Sequence, residues 1–184
     1  MKVSHNSIPI LSEYCKLHLK LLPDDIFSLL GSQTCLDYYR ILFKKNDLVR
    51  AYEIQEGKKT KGFVVYTLFN TFSQVHFFLN WGTLVKIIQL FFIKPLFMLN
   101  LIMYILDPFK PKIKNELAYI MVDYTKGKGH GSYLLQDSLK RRDFELPIFV
   151  KTLNTTRNNI LFYQKNGFKK IYDRFQRVIL IYEG

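Results

Sequence analysis

The residues best placed to do chemistry lie between positions 116 and 136, Glu-Leu-Ala-Tyr-Ile-Met-Val-Asp-Tyr-Thr-Lys-Gly-Lys-Gly-His-Gly-Ser-Tyr-Leu-Leu-Gln. One carboxylate, Glu116, precedes a continuous apolar run from Leu117 to Val122 that reads as a buried strand. Gly127, Gly129 and Gly131 then alternate. From Ser132 a helix is expected, with Tyr133, Leu134, Leu135 and Leu139 on one apolar side. Strand, glycine turn and helix N-terminus gather backbone N–H groups into a small bowl, and the helix dipole adds roughly half a positive charge. Glycine lets a ligand touch the backbone. That is chemistry for a phosphate or pyrophosphate. A tight strand-to-helix connection explains the same glycines with no ligand at all. Two familiar phosphate loops are excluded. No Gly-Lys-Ser/Thr closes a Walker loop, and Gly-x-Gly-x-Gly late in the chain is a poor dinucleotide fingerprint.

A second stretch, residues 159 to 168, reads Asn-Ile-Leu-Phe-Tyr-Gln-Lys-Asn-Gly-Phe. Gly167 is expected as the C′ residue of a helix, with positive φ, and Phe168 as the first residue of a strand whose ring re-enters the core. The two stretches, in this order, resemble the GNAT N-acetyltransferases. That family carries Arg/Gln-x-x-Gly-x-Gly/Ala after a strand, and Lys126, Gly129 and Gly131 fall on those positions. Its closing motif is a helix ending Phe-Tyr-x-Lys-x-Gly-Phe. The sequence departs from the pattern in three places. Lysine replaces the usual arginine or glutamine, the turn between Val122 and Lys126 is one residue short, and Thr156 stands where asparagine is usual, seven residues before the tyrosine.

The resemblance implies an α+β fold of one acyl-CoA N-acetyltransferase domain over residues 1–184. A mixed central sheet of about six or seven strands is expected, splayed between the strands 116–122 and 149–154. Helices flank it, and a helical insert occupies about 75–106. Acetyl-CoA is the implied cosubstrate, with no metal. Backbone groups of Ile120, Met121 and Val122 are expected to bind pantetheine, and one N–H there to hold the developing oxyanion. Lys126, Gly127, Lys128, Gly129, His130, Gly131 and Ser132 are expected around the pyrophosphate, His130 chiefly through its N–H, and Asn159 joins the cofactor contacts. Tyr163 falls on the family's general acid for the leaving thiolate. Its ordinary pKa near 10 keeps it protonated at neutral pH. Core packing beside Phe162 is the other reading. Glu116 falls where some members carry a general base, and an exposed carboxylate at a hairpin edge is the other reading there.

The elements that must position these residues follow from period and punctuation. A short strand at 1–4 is expected, then a helix over 8–22 stopped by Pro23. Asp24-Asp25 caps a second helical stretch, and Gly31 breaks it before a helix at about 34–45. Strands at 48–55 and 61–68 join through Glu56-Gly57-Lys58. The apolar segment 75–106 is divided by Lys86, Lys94 and Pro95 into pieces shorter than the about twenty residues a membrane-crossing helix needs. Two helices packed over the sheet as a wall for the acceptor are expected, with an interfacial pair of helices left open.

Composition sets the outer bounds. A chain of 184 residues buries a sufficient core without staples. Cys15 and Cys35 sit in apolar helical patterns and are expected to be reduced, in a cytoplasmic protein with membrane association left open. The first twenty residues carry charges within their apolar stretch, so no secretory signal is expected. No metal-ligand spacing links His5, His18, His76 and His130. His18 and His76 are candidates for the acceptor pocket or plain core residues.

The net charge of +12 draws polyanions, and coenzyme A is one. Clusters at Lys58, Lys59 and Lys61, at Lys110, Lys112 and Lys114, and at Lys140 to Arg142 are dispersed and carry no nucleic-acid motif. No nucleic-acid partner is expected. The expected acceptor is a small-molecule amine, an amino sugar or nucleotide sugar among the choices. Polyamine, antibiotic and peptide amines remain alternatives, as do a non-catalytic membrane-surface or nucleic-acid-binding protein on this fold and a homodimer.

Overall fold

The computed structural model describes residues 2–5, 11–44, 48–57, 59–68, 81–96, 98–99, 112–123, 129–141, 144–153, 156–174 and 177–184. In chain order the elements are β1 (Lys2–His5), α1 (Leu11–Leu21), α2 (Ile26–Leu29), α3 (Ser32–Lys44), β2 (Val49–Glu56), β3 (Lys59–Thr67) and α4 (Trp81–Ile93). Then come β4 (Asn115–Val122), α5 (His130–Arg141), β5 (Ile148–Leu153), α6 (Arg157–Lys165), β6 (Lys169–Arg174) and β7 (Arg177–Tyr182).

Local chemistry sets most of the boundaries. α1 stops two residues before Pro23, which has no N–H to continue the ladder. α2 is capped by Asp25, whose carboxylate accepts from the Phe27 N–H at 3.1 Å. Gly57 takes φ +62° in the β2–β3 turn, a conformation that L side chains resist. α6 ends in a Schellman motif. The Phe168 N–H donates to the Tyr163 carbonyl at 3.0 Å and the Gly167 N–H to that of Gln164 at 3.1 Å, with Gly167 at φ +92°.

The seven strands run in the order β1-β2-β3-β4-β5-β7-β6, and every neighbouring pair is antiparallel except β4 with β5. Alternation along the strands divides the apolar residues between two faces. One face packs Leu117, Val122, Ile148, Val150, Val178 and Leu180 against Leu134, Leu135 and Leu139 of α5 and Tyr163 of α6. The other packs Phe63, Val65 and Met121 under α1, α2 and α3, with Leu90 of α4 and Met98 joining them. There Tyr14 stacks on Phe63 with ring centroids 4.0 Å apart.

Two sequence expectations, both on α5, need adjustment. α5 begins at His130, not Ser132, and Tyr133 leaves its apolar side to lie 46% exposed, while Ser138 is buried in its stead. The Ser138 hydroxyl is satisfied by the Leu135 carbonyl and by Tyr66 Oη at 2.6 Å. That pairing makes a polar side chain tolerable in the core. His18 takes the second of its two readings, a core residue. It is wholly buried, with Nδ1 2.9 Å from Tyr39 Oη and Nε2 2.9 Å from Asp25 Oδ2. His76 and much of the second expected helix of the insert lie outside the described residues. Cys15 and Cys35 are both buried free thiols.

Candidate active site

The one parallel pairing of the sheet is short. β4 and β5 stay in register only at Asn115–Ile148, Glu116–Phe149 and Leu117–Val150. Past Leu117, β4 continues to Val122 against β3, and β5 continues to Leu153 against β7. The two strands therefore part and leave a V between them. A bulge accompanies the separation. Val65 faces Tyr119 and Tyr66 faces Leu117, so Ala118 is the extra residue on β4. Such a residue adds local twist to its strand, which turns β4 away from β5 at the point where their ladder stops. Beyond it, the β4 edge facing the V offers backbone N–H and C=O groups to an extended ligand, as an edge strand does to a peptide. Ile120, Met121 and Val122 lie along this stretch.

α5 is the element that follows β4 in the chain. Gly129 precedes it at φ +100°, and its carbonyl accepts from the Tyr133 N–H at 2.9 Å. The N–H groups of His130, Gly131 and Ser132 have no acceptor within the helix, which makes this terminus suited to an anion. Lys126, Gly127 and Lys128 lie outside the described residues. Asn166 ties the helix start to α6. Buried to 5% exposure, its Nδ2 donates to Ser132 Oγ at 3.1 Å and to the Phe162 carbonyl at 2.8 Å. Gln136 Nε2 donates to the Asn166 carbonyl at 3.2 Å. These bonds hold the N-terminus of α5 in register with the turn that follows Tyr163.

Tyr163 is 8% exposed, with Phe162 and Phe168 as ring neighbours at centroid distances of 5.2 and 5.5 Å. Asn159 lies on the exposed first turn of α6. Thr156, at the N-cap, makes no side-chain cap. Its hydroxyl donates instead to the Leu153 carbonyl at 2.6 Å and lies 3.1 Å from Thr152 Oγ1, binding α6 to the end of β5.

Glu116 stands in a central strand, not at an exposed hairpin edge. Its side chain is 20% exposed, and its carboxylate lies 3.2 Å from Lys151 Nζ, itself 12% exposed. Alternation places both on the face opposite Leu117 and Val150, hence opposite Tyr163. Burial pushes the Glu116 carboxyl above its ordinary pKa, while Lys151 and the buried Arg177 act to lower it. The structure thus brings Glu116 beside the final β4–β5 pairs and puts Tyr163 on the other face, with the V opening between. Lys151, Arg177, Asn166 and the Ala118 bulge were not singled out in the sequence. Among the described residues, no cluster of His, Cys, Asp or Glu could hold a metal ion.

No protein-family model and no curated protein matches the sequence. Solved structures match across its whole length. The chain is similar to PH1933 from Pyrococcus horikoshii OT3, with TM-score 0.62, 18% identity, and coverage of 100% of this chain and 99% of that one. It is similar to a GNAT-family acetyltransferase from Bacillus cereus ATCC 10987, with TM-score 0.57, 14% identity and coverage of 99% and 96%. It is also similar to the PaiA N-acetyltransferase from Thermoplasma acidophilum in complex with coenzyme A, with TM-score 0.57, 13% identity and full coverage of both chains (100% each). The chain has the GNAT acetyltransferase fold.

Proposed function

We propose that the protein is an acetyl-CoA-dependent N-acetyltransferase, one domain over residues 1–184, that passes acetyl directly to an amine of a small molecule. The observation that carries this reading is the splayed β4–β5 pair, with β4 followed in the chain by a glycine-led helix N-terminus. An open strand edge suits the amides of pantetheine, and a glycine-led helix start suits a pyrophosphate. Coenzyme A presents both along one chain. In this reading Ile120, Met121 and Val122 line the pantetheine, while Gly129, His130, Gly131 and Ser132 hold the pyrophosphate through their main chain. Lys126, Gly127 and Lys128 complete that grip, and Asn159 contacts the cosubstrate from the head of α6.

The reaction then needs three things of this chain. A backbone N–H on the β4 edge stabilises the oxyanion as the amine nitrogen attacks the thioester carbonyl. Glu116 takes the proton that the amine loses, directly or through water. Tyr163 gives its phenolic proton to the sulfur as the C–S bond breaks. The raised pKa of Glu116 suits a base, since a carboxyl at its ordinary value would be too weak. The acceptor we favour is an amino sugar or nucleotide-linked amino sugar, since the apolar character of the insert argues against a large protein substrate.

A thiol-release assay with acetyl-CoA against amino sugars, polyamines, aminoglycosides and short peptides tests the reading. Release with one class above the hydrolytic background is the expected result. Tyr163→Phe is expected to cut kcat by roughly 10²–10⁴-fold with coenzyme A affinity nearly unchanged. No heat with coenzyme A in calorimetry would overturn the enzyme reading, and full turnover in the phenylalanine variant would remove Tyr163 from it.

A further inference from the structure

α4 is apolar on both its sides. Thr83, Ile87 and Leu90 follow a 4, 3 spacing and face the protein, with Thr83 7% and Leu90 8% exposed. The outward side carries Leu84, Val85, Ile88, Phe91 and Phe92, exposed from 37% to 81%. Ile93 at 73%, Leu96 at 76% and Leu99 at 54% extend the patch beyond the helix. The helix contains no acid and one base, Lys86. That ammonium turns back onto the protein, 2.9 Å from Thr34 Oγ1 and 3.4 Å from the Leu30 carbonyl. The usual surface helix does the reverse, with charges outward and apolar residues inward. A contiguous patch of this kind marks an interaction surface, not scattered exposure.

Two occupants suit an apolar face, a second copy and a bilayer. The electrostatics favour the bilayer. Each copy carries +12, so two copies repel, whereas an anionic lipid surface attracts the same charge. Lys94, at the end of the patch, lies 3.7 Å from Asp24 Oδ1 at the surface and keeps its side chain 43% exposed. Length sets the geometry. Thirteen residues rise about 20 Å, short of the ~30 Å hydrocarbon core, and no helix among the described residues is long and apolar enough to cross a membrane. A helix of this kind lies in the interface, its aromatic and aliphatic side chains at the headgroup boundary. We propose that the outer face of α4, continued by Ile93, Leu96 and Leu99, docks the protein onto an anionic bilayer surface. Docking there turns toward the bilayer the side of the sheet that carries Glu116. The proposal stands whether or not the protein transfers acetyl groups.

Co-sedimentation of the full chain with phosphatidylcholine vesicles, with and without phosphatidylglycerol, tests it. Binding is expected to the anionic vesicles and to be weak to phosphatidylcholine alone. The double variant Phe92→Ser, Ile93→Ser is expected to lower the partition coefficient about tenfold or more, since each side chain loses its apolar burial. Leu96→Ser serves as a second variant with the same expected direction. All three positions are exposed, so far-ultraviolet circular dichroism and thermal midpoint should be unchanged. Absence of binding to anionic vesicles overturns the proposal. So does binding that the variants leave intact and salt abolishes, which would be a charge effect alone. Sedimentation equilibrium supplies the last arm: a dimer that the same variants dissociate, with no vesicle binding, assigns the face to a second copy and overturns the bilayer.

Discussion

Gly129 and Gly31 offer a matched pair for testing the pyrophosphate grip. Each precedes a helix, Gly129 at φ +100° before α5 and Gly31 at φ +96° before α3. Each carbonyl accepts the first helical bond, at 2.9 Å from the Tyr133 N–H and 3.0 Å from the Cys35 N–H. A Cβ added at either position would meet nothing within 4 Å. Alanine at either site therefore brings backbone strain without a clash, about 1–3 kcal/mol in each case. For a chain of this length each kcal/mol lowers the thermal midpoint by about 2–4 °C. The two variants should lose similar stability. They should differ in coenzyme A affinity. At Gly129 the methyl would stand where a ligand approaches the main chain, and the shift would misdirect the N–H groups of His130 and Gly131. Losing one charge-assisted hydrogen bond costs about 1.5–3 kcal/mol, a roughly ten- to 150-fold rise in Kd. Calorimetric titration with coenzyme A measures this directly. Gly31→Ala should bind as the wild type does. Equal affinity in both variants would refute the assignment of this helix start to the pyrophosphate, whatever the thermal midpoints show.

Two further predictions concern the base and the V. Burial raises the Glu116 carboxyl pKa and Lys151, then Arg177, oppose it. Lys151→Met removes a cation that favours the ionised form, so the carboxyl should titrate at higher pH and the acidic limb of kcat/KM should move upward. A limb that stays in place would take the base role from Glu116. Gly62→Ala places a Cβ 2.9 Å from Val122 Cγ2 and 3.0 Å from the Met121 carbonyl oxygen, on the strand that forms one arm of the V. Backbone cannot yield there without parting β3 from β4, so a loss of about 1–3 kcal/mol is expected in urea unfolding. An unchanged midpoint would contradict the close approach of these strands.

Features that depend on neighbours in the chain were legible from the sequence. Pro23 and Asp25 bound their helices through a missing N–H and an added acceptor, and Gly57 and Gly167 mark turns through φ values that a Cβ resists. The apolar run 117–122 announced a central strand because burial on both faces leaves no room for alternation. What the sequence could not state is distance between segments far apart in the chain. The three-pair limit of the β4–β5 ladder, the unpaired Ala118, the Glu116–Lys151 ion pair and the Asn166 bridge to Ser132 each join such segments. Tyr133 failed for the same reason. Its apolar character placed it on the inner side, yet what covers a helix face is chosen by the sheet beneath, and that sheet selected Leu134, Leu135, Ser138 and Leu139. Propensity and punctuation are local and survive in a one-dimensional reading, whereas the V, its carboxylate and its anion-ready helix start exist only once tertiary packing sets the strands at an angle.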